Sequence, residues 1–293
     1  MSRPSYAAAL IGAGISSSLT PALHEREGAR NGLNYVYRTV DIAALDIPAE
    51  DVGELVRVAR AFGFDGLNIT HPCKQLVIAH LDELSPEAAA VHAVNTVVFR
   101  DSRAIGHNTD VTAFAKSFAH GLPDATTGTV VQVGSGGAGS AVAHALLTLG
   151  ADRLVLADLD PGRAERLTAR LADRFGSERV RHVAVGDLDT VVAAADGLVN
   201  ATPLGMAAHP GSAVPAELLR PDLWVADIVY RPVRTALVRA AEAAGCVVLD
   251  GAGMAVFQAV DAFALITGRE PDTAAMFADF QELVALESLE GTT

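Results

Sequence analysis

Residues 129–160 read TVVQVGSGGAGSAVAHALLTLGADRLVLADLD, and the order of their parts decides the fold. An apolar, β-rich run (Val130, Val131, Val133) stops at Gly134, Gly136, Gly137 and Gly139. An amphipathic helix follows to Leu149, and a second apolar run ends on Asp158. Strand, tight turn, helix, strand and acid make one half of a dinucleotide-binding unit. Gly134 allows the sharp turn, Gly136 lets the backbone approach a pyrophosphate, and Gly139 lets the helix pack close to the sheet. Amides at the helix start, around Gly137 and Ala138, then face the phosphates. A glycine-rich turn without a ligand is the alternative, but it does not call for a carboxylate about 20 residues on, where the motif places a ribose partner.

Asp158 also bears on which dinucleotide fits. Its carboxylate can accept both adenosine ribose hydroxyls, whereas a 2′-phosphate there would meet a like charge, at a cost of about 4 kcal/mol for a 4 Å separation in an effective dielectric of 20. NAD is therefore expected over NADP. Arg163 could swing toward a phosphate, and Asp160 beside it argues the other way.

The whole chain narrows the classes. Its 293 residues suffice for two domains. Half are hydrophobic, mostly alanine and branched aliphatics rather than aromatics, which fits helices packed on parallel strands. A formal net charge of -13 disfavours nucleic acid and anionic membrane surfaces as partners, so any anionic ligand, such as a small-molecule substrate, must be held by local donors. Two cysteines, Cys73 and Cys246, make no disulfide framework, so a cytoplasmic location is expected. No apolar run approaches the 18 or so residues of a membrane span, and residues 7–15 read as a buried first strand rather than a signal peptide. No metal site is expected. The oligomeric state is open, a homodimer included.

Upstream of the glycine turn, a strand at 6–11 runs into GAGISSSLTP, and Thr20 followed by Pro21 looks like an N-cap and first helical residue for a helix through residue 29. Ser16, Ser17, Ser18 and Thr20 also lie past a strand's carboxyl end, where open α/β sheets bind ligands, and their hydroxyls could hold a small carboxylate. Further strands are expected at 35–40 and 67–69, with a helix at 49–62 between them. In GLNITHPCK (66–74), Thr70 or His71 caps the helix that Pro72 begins. Lys74 then falls in its first turn, an unfavourable place for a cation. Of 22 basic residues only Lys74 and Lys116 are lysines. A lysine kept at position 74 suggests chemistry that needs a compact, titratable amine.

HAVNTVVF and RAIGHNTD follow. Asn95 and Asn108 are polar residues in strand-like surroundings, and Asp110 could cap a helix at 111–119. Thr20, Thr70 and Asp110 all lie just past strands, so a parallel sheet would bring them to one rim, where a lysine and an aspartate form an acid/base pair. Beyond the glycine unit, strands are expected at 180–185, 197–200, 223–229 and 246–249, with a helix at 235–244. NATPLGM (200–206), with Thr202, Pro203 and Met206, is a strand end running into a loop where a nicotinamide ring is expected. Two helical segments close the chain and should fold back onto the first domain. Gln258, in the first of them, is either a satisfied core amide or a ligand donor.

At these residues the chain resembles the shikimate and quinate dehydrogenase family, essentially end to end. GLNITHPCK looks like that family's GxNVTxPxK, HAVNT like its GAVNT and GHNTD like its GxNTD; NATPLGM, DIVYRPVRTAL and GAGMAVFQA are similar to its later signatures. The resemblance implies an α/β architecture: a Rossmann doubly wound parallel sheet (113–250) inserted into an α/β substrate domain with a mainly parallel sheet (1–112, completed by 251–293). It implies that Lys74 and Asp110 act at the reacting carbinol, that Asn95 and Thr70 hold ring hydroxyls, and that Ser18 and Thr20 hold a carboxylate. Gln258 would reach the ring. Tyr230 would lie near substrate and nicotinamide, with Val229, Gly251 and Met254 on the cofactor side. The chain departs from the family at Leu19 and Thr20, where a basic residue and a serine are usual, and at His92, where glycine is usual. NADP-using members place arginine and threonine after the second nucleotide strand, where this chain has Asp158, Leu159 and Asp160. The expectation is thus an NAD-dependent enzyme oxidising quinate or shikimate. The alternatives are an NADP-dependent biosynthetic shikimate dehydrogenase and a non-catalytic protein that binds cofactor or cyclitol and regulates a partner.

Overall fold

The structure, a computed structural model, describes residues 3–290. It divides into two compact units, one made of the chain up to Thr109 together with the chain from Val256, the other of Asp110–Ala255. The division thus falls at 109/110 and 255/256, where the sequence suggests 112/113 and 250/251.

The first unit contains β1 (Ser5–Gly12), α1 (Thr20–Arg30), β2 (Asn34–Asp41), α2 (Val52–Ala61), β3 (Gly66–Ile69), α3 (Cys73–Leu76), β4 (Glu83–Leu84), α4 (Pro86–Val91), β5 (Thr96–Arg100) and β6 (Arg103–His107). Its strands form one sheet in the order β2-β1-β3-β5-β6-β4. β1 pairs parallel with β2 and β3, as does β4 with β6, whereas β5 runs antiparallel to both its neighbours. β5 passes to β6 through a two-residue hairpin in which Asp101 and Ser102 both take positive φ, as a type I′ turn requires. Ala9, Ile11, Leu67, Ile69, Val97 and Ala104 pack on one face with Val52 and Val56 of α2. Ala8, Leu10, Tyr35 and Tyr37 pack on the other.

α5 (Thr109–Gly121) leads into the second unit, which holds β7 (Thr129–Val133), α6 (Gly137–Thr148), β8 (Arg153–Ala157), α7 (Pro161–Phe175), β9 (Val180–Val183), α8 (Leu188–Val192), β10 (Gly197–Asn200), β11 (Trp224–Asp227), α9 (Ala236–Ala243) and β12 (Val247–Leu249). All pairings are parallel, in the order β12-β11-β10-β7-β8-β9. The order reverses between β7 and β10, the topological switch point of a doubly wound sheet. β10 and β11 are buried along their whole length, which is why these segments read as continuous apolar runs rather than alternating ones.

The chain closes with α10 (Ala252–Thr267) and α11 (Thr273–Glu290). From Val256 onward they belong to the first unit. Phe263 is fully buried against Tyr35, Tyr6 OH donates to Thr267 O at 3.0 Å, and Arg100 Nη2 donates to Leu265 O at 2.8 Å. Among the described residues no helix is long and apolar enough to cross a membrane.

Candidate active site

In the first unit the carboxyl rim of the sheet gathers most of the expected substrate residues. β1 and β3 are parallel neighbours, so the serine loop after Gly12 and the segment after Ile69 emerge side by side; Ala13 N donates to His71 O at 2.9 Å, and Thr70 N to Ile11 O at 2.9 Å. The serine loop is held from below by Asp41, whose carboxylate accepts N–H bonds from Gly14 and Ile15, both 2.9 Å. Burial pushes the Asp41 carboxyl up, but donors from Gly14, Ile15, Ala44 and Ala43 outweigh it and hold the group below its ordinary value. Ser18 is half-buried, and its Oγ accepts from Thr20 N at 3.3 Å.

Thr20 is not the N-cap that the sequence suggests. Leu19, already in the α region at φ -81, ψ -11, occupies that position, and Thr20 is the first helical residue, buried at 8% exposure. Nor does Thr70 or His71 cap α3 through its side chain: the N-cap is Pro72, and only the Thr70 carbonyl engages, accepting from Cys73 N at 2.8 Å. Lys74 sits half-buried in the single turn of α3, and its carbonyl accepts from Val94 N at 2.8 Å.

Asn95 immediately precedes β5. Its Oδ1 accepts from Thr109 N at 2.8 Å, and its Nδ2 donates to Thr109 Oγ1 at 2.9 Å, so this buried amide satisfies a first-turn N–H of α5 from outside the helix. Thr109 Oγ1 also donates to the Gln258 carbonyl at 3.2 Å, tying α10 to the same rim. Asn108 Nδ2 donates to Ala93 O at 2.9 Å. Asp110 follows in the first turn of α5 and is 5% exposed; it lies inside the helix rather than capping it. Asn68, which sequence reasoning passed over, accepts from Tyr37 OH at 2.7 Å and donates to Thr96 Oγ1 at 3.0 Å, fixing the strand end behind Thr70.

In the second unit Gly134 takes φ +103, and a Cβ there would meet Ala201 O at 2.5 Å. A Cβ on Gly136 would meet open space, leaving the backbone approachable. At Gly139 it would collide with Gly134 O at 2.3 Å, so the glycine is required by the turn itself rather than by contact with the sheet. Gly137 and Ala138 open α6. The Ser135 hydroxyl in this turn is buried without a hydrogen-bond partner in the structure. Open backbone, a helix start and an orphaned hydroxyl together fit a bound pyrophosphate.

Asp158 immediately follows β8 and is 8% exposed. Its Oδ2 accepts from Ser135 N at 2.7 Å and its Oδ1 from Asp160 N at 2.9 Å and Arg163 Nη1 at 3.5 Å; Oδ2 keeps a further lone pair for a ribose hydroxyl. Arg163 lies 3.5 Å from Asp158 and 3.9 Å from Asp160, directed at the two carboxylates.

The loops after β10 and β11 are joined by a buried carboxylate that sequence reasoning also missed. Asp227 accepts from Asn200 Nδ2 at 2.9 Å, Val229 N at 3.0 Å and Thr235 Oγ1 at 2.7 Å. Burial pushes its carboxyl above the ordinary value, a shift those donors reduce but do not cancel. Asn200 Oδ1 in turn accepts from Thr202 Oγ1 at 2.6 Å, which shapes the segment carrying Pro203 and Met206. Thr202 is half-buried; Pro203 and Met206 are exposed. Val229 and Met254 are buried, Tyr230 is half-buried, and a Cβ on Gly251 would meet Val229 O at 2.6 Å. Among the described residues no three His, Cys, Asp or Glu side chains are grouped to hold a metal.

Comparison with known proteins bears on this site. Residues 10–97 match the family model described as the shikimate dehydrogenase substrate binding domain. The chain is 62% identical over 283 residues, 97% of each chain, to shikimate dehydrogenase (NADP(+)) of Streptomyces avermitilis. It is 51% identical, over 97% of this chain and all of the relative, to quinate/shikimate dehydrogenase (NAD(+)) of Corynebacterium efficiens. Quinate dehydrogenase from Corynebacterium glutamicum, solved in complex with NAD, superimposes with a TM-score of 0.89 at 48% identity, covering 96% of this chain and 100% of that one.

Proposed function

Because the chain belongs to the shikimate and quinate dehydrogenase family, and is thereby an oxidoreductase that works with a nicotinamide cofactor, we propose that it uses NAD to interconvert quinate with 3-dehydroquinate and shikimate with 3-dehydroshikimate. The observation that carries the choice of NAD is the pair of acids after β8. Asp158 closes the ribose end of the turn with a negative charge, and Arg163, the cation that could receive a 2′-phosphate, is directed at Asp158 and Asp160 instead. Like charge there disfavours NADP by about 4 kcal/mol at 4 Å separation and an effective dielectric of 20.

When bound, the nicotinamide supplies the hydride acceptor or donor. Gly134, Gly136, Gly137, Ala138 and Gly139 would hold its pyrophosphate, Asp158 its ribose, and Thr202, Pro203, Met206, Val229, Gly251 and Met254 its nicotinamide end. Ser18 and Thr20 hold the substrate carboxylate with neutral hydroxyls. Thr70, Asn95, Gln258 and Tyr230 orient the ring. Lys74 takes the proton of the reacting hydroxyl, or donates to the carbonyl in the reverse direction, and Asp110 acts with it. Arginine could not replace Lys74 in this role, because it stays protonated at any accessible pH.

A second reading, NADP-dependent reduction of 3-dehydroshikimate, is favoured by the 62% identity to a relative named for NADP. Initial rates for quinate and shikimate with each of NAD and NADP separate the two. The proposal expects rates with NAD to exceed those with NADP by at least tenfold for either substrate. A preference for NADP would overturn it.

A further inference from the structure

Gln132, the penultimate residue of β7, is fully buried, and a buried strand residue is not expected to bind a ligand. Its side chain nonetheless reaches past the end of its own strand. Nε2 donates to Gly134 O at 2.8 Å and to Gly139 O at 2.8 Å, the first and last glycines of the turn. Two carbonyl acceptors fix which end of the amide faces them, since an oxygen in that place would be repelled by both. Oε1 is then left buried without a partner. A polar group retained in an apolar strand with one atom unsatisfied is destabilising in itself, so the two bonds made by the other atom must account for it.

Each of those bonds completes a peptide pinned at both poles. The Gly134–Ser135 peptide has its oxygen on Gln132 and its N–H on Asp158; the Gly139–Ser140 peptide has its oxygen on Gln132 and its N–H on Gly136 O at 2.8 Å. Between the two lie the amides of Gly136, Gly137 and Ala138, which a helix start leaves without intrahelical partners. The same clamp brings Gly134 O to where any Cβ on residue 139 would strike it.

We infer that Gln132 is a positioning residue for dinucleotide binding: one side-chain amide holds both ends of the glycine turn, so that the amides between them are aimed before a pyrophosphate arrives. The inference rests on the dinucleotide reading of this turn. It differs from that reading in placing part of the affinity on a residue that touches no ligand. Preorganisation of this kind acts on binding rather than on the chemical step.

The test compares wild type with Gln132→Met, which keeps the volume and removes the donor, and Gln132→Glu, which keeps the shape and opposes two carbonyls with a carboxylate. Each variant that folds should raise the KM for the preferred dinucleotide about tenfold, with kcat at saturating cofactor within about twofold and the KM for quinate or shikimate unchanged. Merely structural damage would lower kcat by reducing the active fraction and leave the cofactor KM alone; that result, or an unchanged cofactor KM, overturns the inference. A measurement on the wild type covers the case in which neither variant folds. The Gln132 side-chain amide protons should exchange with solvent at least a hundredfold more slowly than those of an exposed glutamine, and more slowly still with NADH bound. Fast exchange, or no change with NADH in a protein that binds it, overturns the clamp. Failure of wild type to bind either dinucleotide in a fluorescence titration would refute the functional reading instead, leaving the exchange rate of the free protein to judge the clamp alone.

Discussion

His92 takes φ 51, ψ 45 at the C-cap of α4, a left-handed conformation that costs a residue with a Cβ and costs glycine nothing. The family resemblance marks this position as one where glycine is usual, and the backbone shows why. His92→Gly should therefore raise stability by about 0.5 kcal/mol, the gain in the folded state exceeding the added freedom of the unfolded chain. A urea midpoint unchanged or lowered would count against the strain. Lys74→Ala, by contrast, should lower kcat by about 10²- to 10⁴-fold while the NADH dissociation constant stays within twofold, because a positioned acid/base contributes that much to the chemical step and nothing to cofactor affinity. Near-normal turnover would remove Lys74 from the mechanism. At this scale the sequence was only partly legible. A polar amide in an apolar run marks Asn95 and Gln258; the same signal at Gln132 is masked, because a glycine motif by itself accounts for the strand that carries it. Asn95 proves to bond Thr109, a pairing between residues on different elements that no local pattern encodes.

Elements were easier to read than their ends. Apolar runs and amphipathic stretches gave the strand and helix order, whereas boundaries depend on tertiary contacts: the expected helix at 49–62 is a 3-10 turn at Ala49–Asp51 followed by α2, and the helix after Pro72 is a single turn. What seats α11 is equally non-local. Glu27 of α1 is fully buried; its Oε1 accepts from Asp272 N at 2.9 Å and from Asn31 Nδ2 at 2.6 Å, and its Oε2 is paired with Arg30, which also reaches Asp279 of α11 at 2.7 Å. Glu27→Ala leaves the Asp272 N–H and Asn31 Nδ2 without their acceptor, while Arg30, a third exposed, keeps Asp279, so it should cost about 1–3 kcal/mol. Glu282→Ala, which breaks only the exposed contact with Arg26, should cost less than about 1 kcal/mol. Equal losses in chemical denaturation would show that α11 is not anchored through Glu27.

At the scale of the whole molecule, the doubly wound sheet was legible because one contiguous stretch encodes its switch point. The antiparallel pairing of β5 with β6 was not, since the hairpin that joins them rests on Asp101 and Ser102 rather than on a glycine pair. The two units carry buried groups whose titration shifts act on stability in opposite senses. In the first unit His24 is fully buried among Tyr35, Tyr37 and Phe263, with Nδ1 3.1 Å from Tyr35 OH, and burial lowers its pKa to about 3 from 6.5. A depressed histidine pKa means that the unfolded chain binds the proton first, so stability is lost as pH falls below about 6.5 and continues to fall to about 3. Between pH 7 and pH 5 the loss is about 2 kcal/mol. Asp227 in the second unit works the other way: its raised pKa lets the folded state take up a proton before the unfolded one, which favours folding as pH falls. The first unit should therefore be the one that opens on acidification, seen as faster amide exchange in β1 and β2 at pH 5 than at pH 7 after correction for intrinsic rates, with β10 and β11 little changed. His24→Phe removes the titrating group from the cluster; whatever it costs at pH 7 through the lost Tyr35 bond, it should flatten the acid dependence of the first unit by about 2 kcal/mol over that interval. An unchanged slope in the variant would assign the acid sensitivity to other groups.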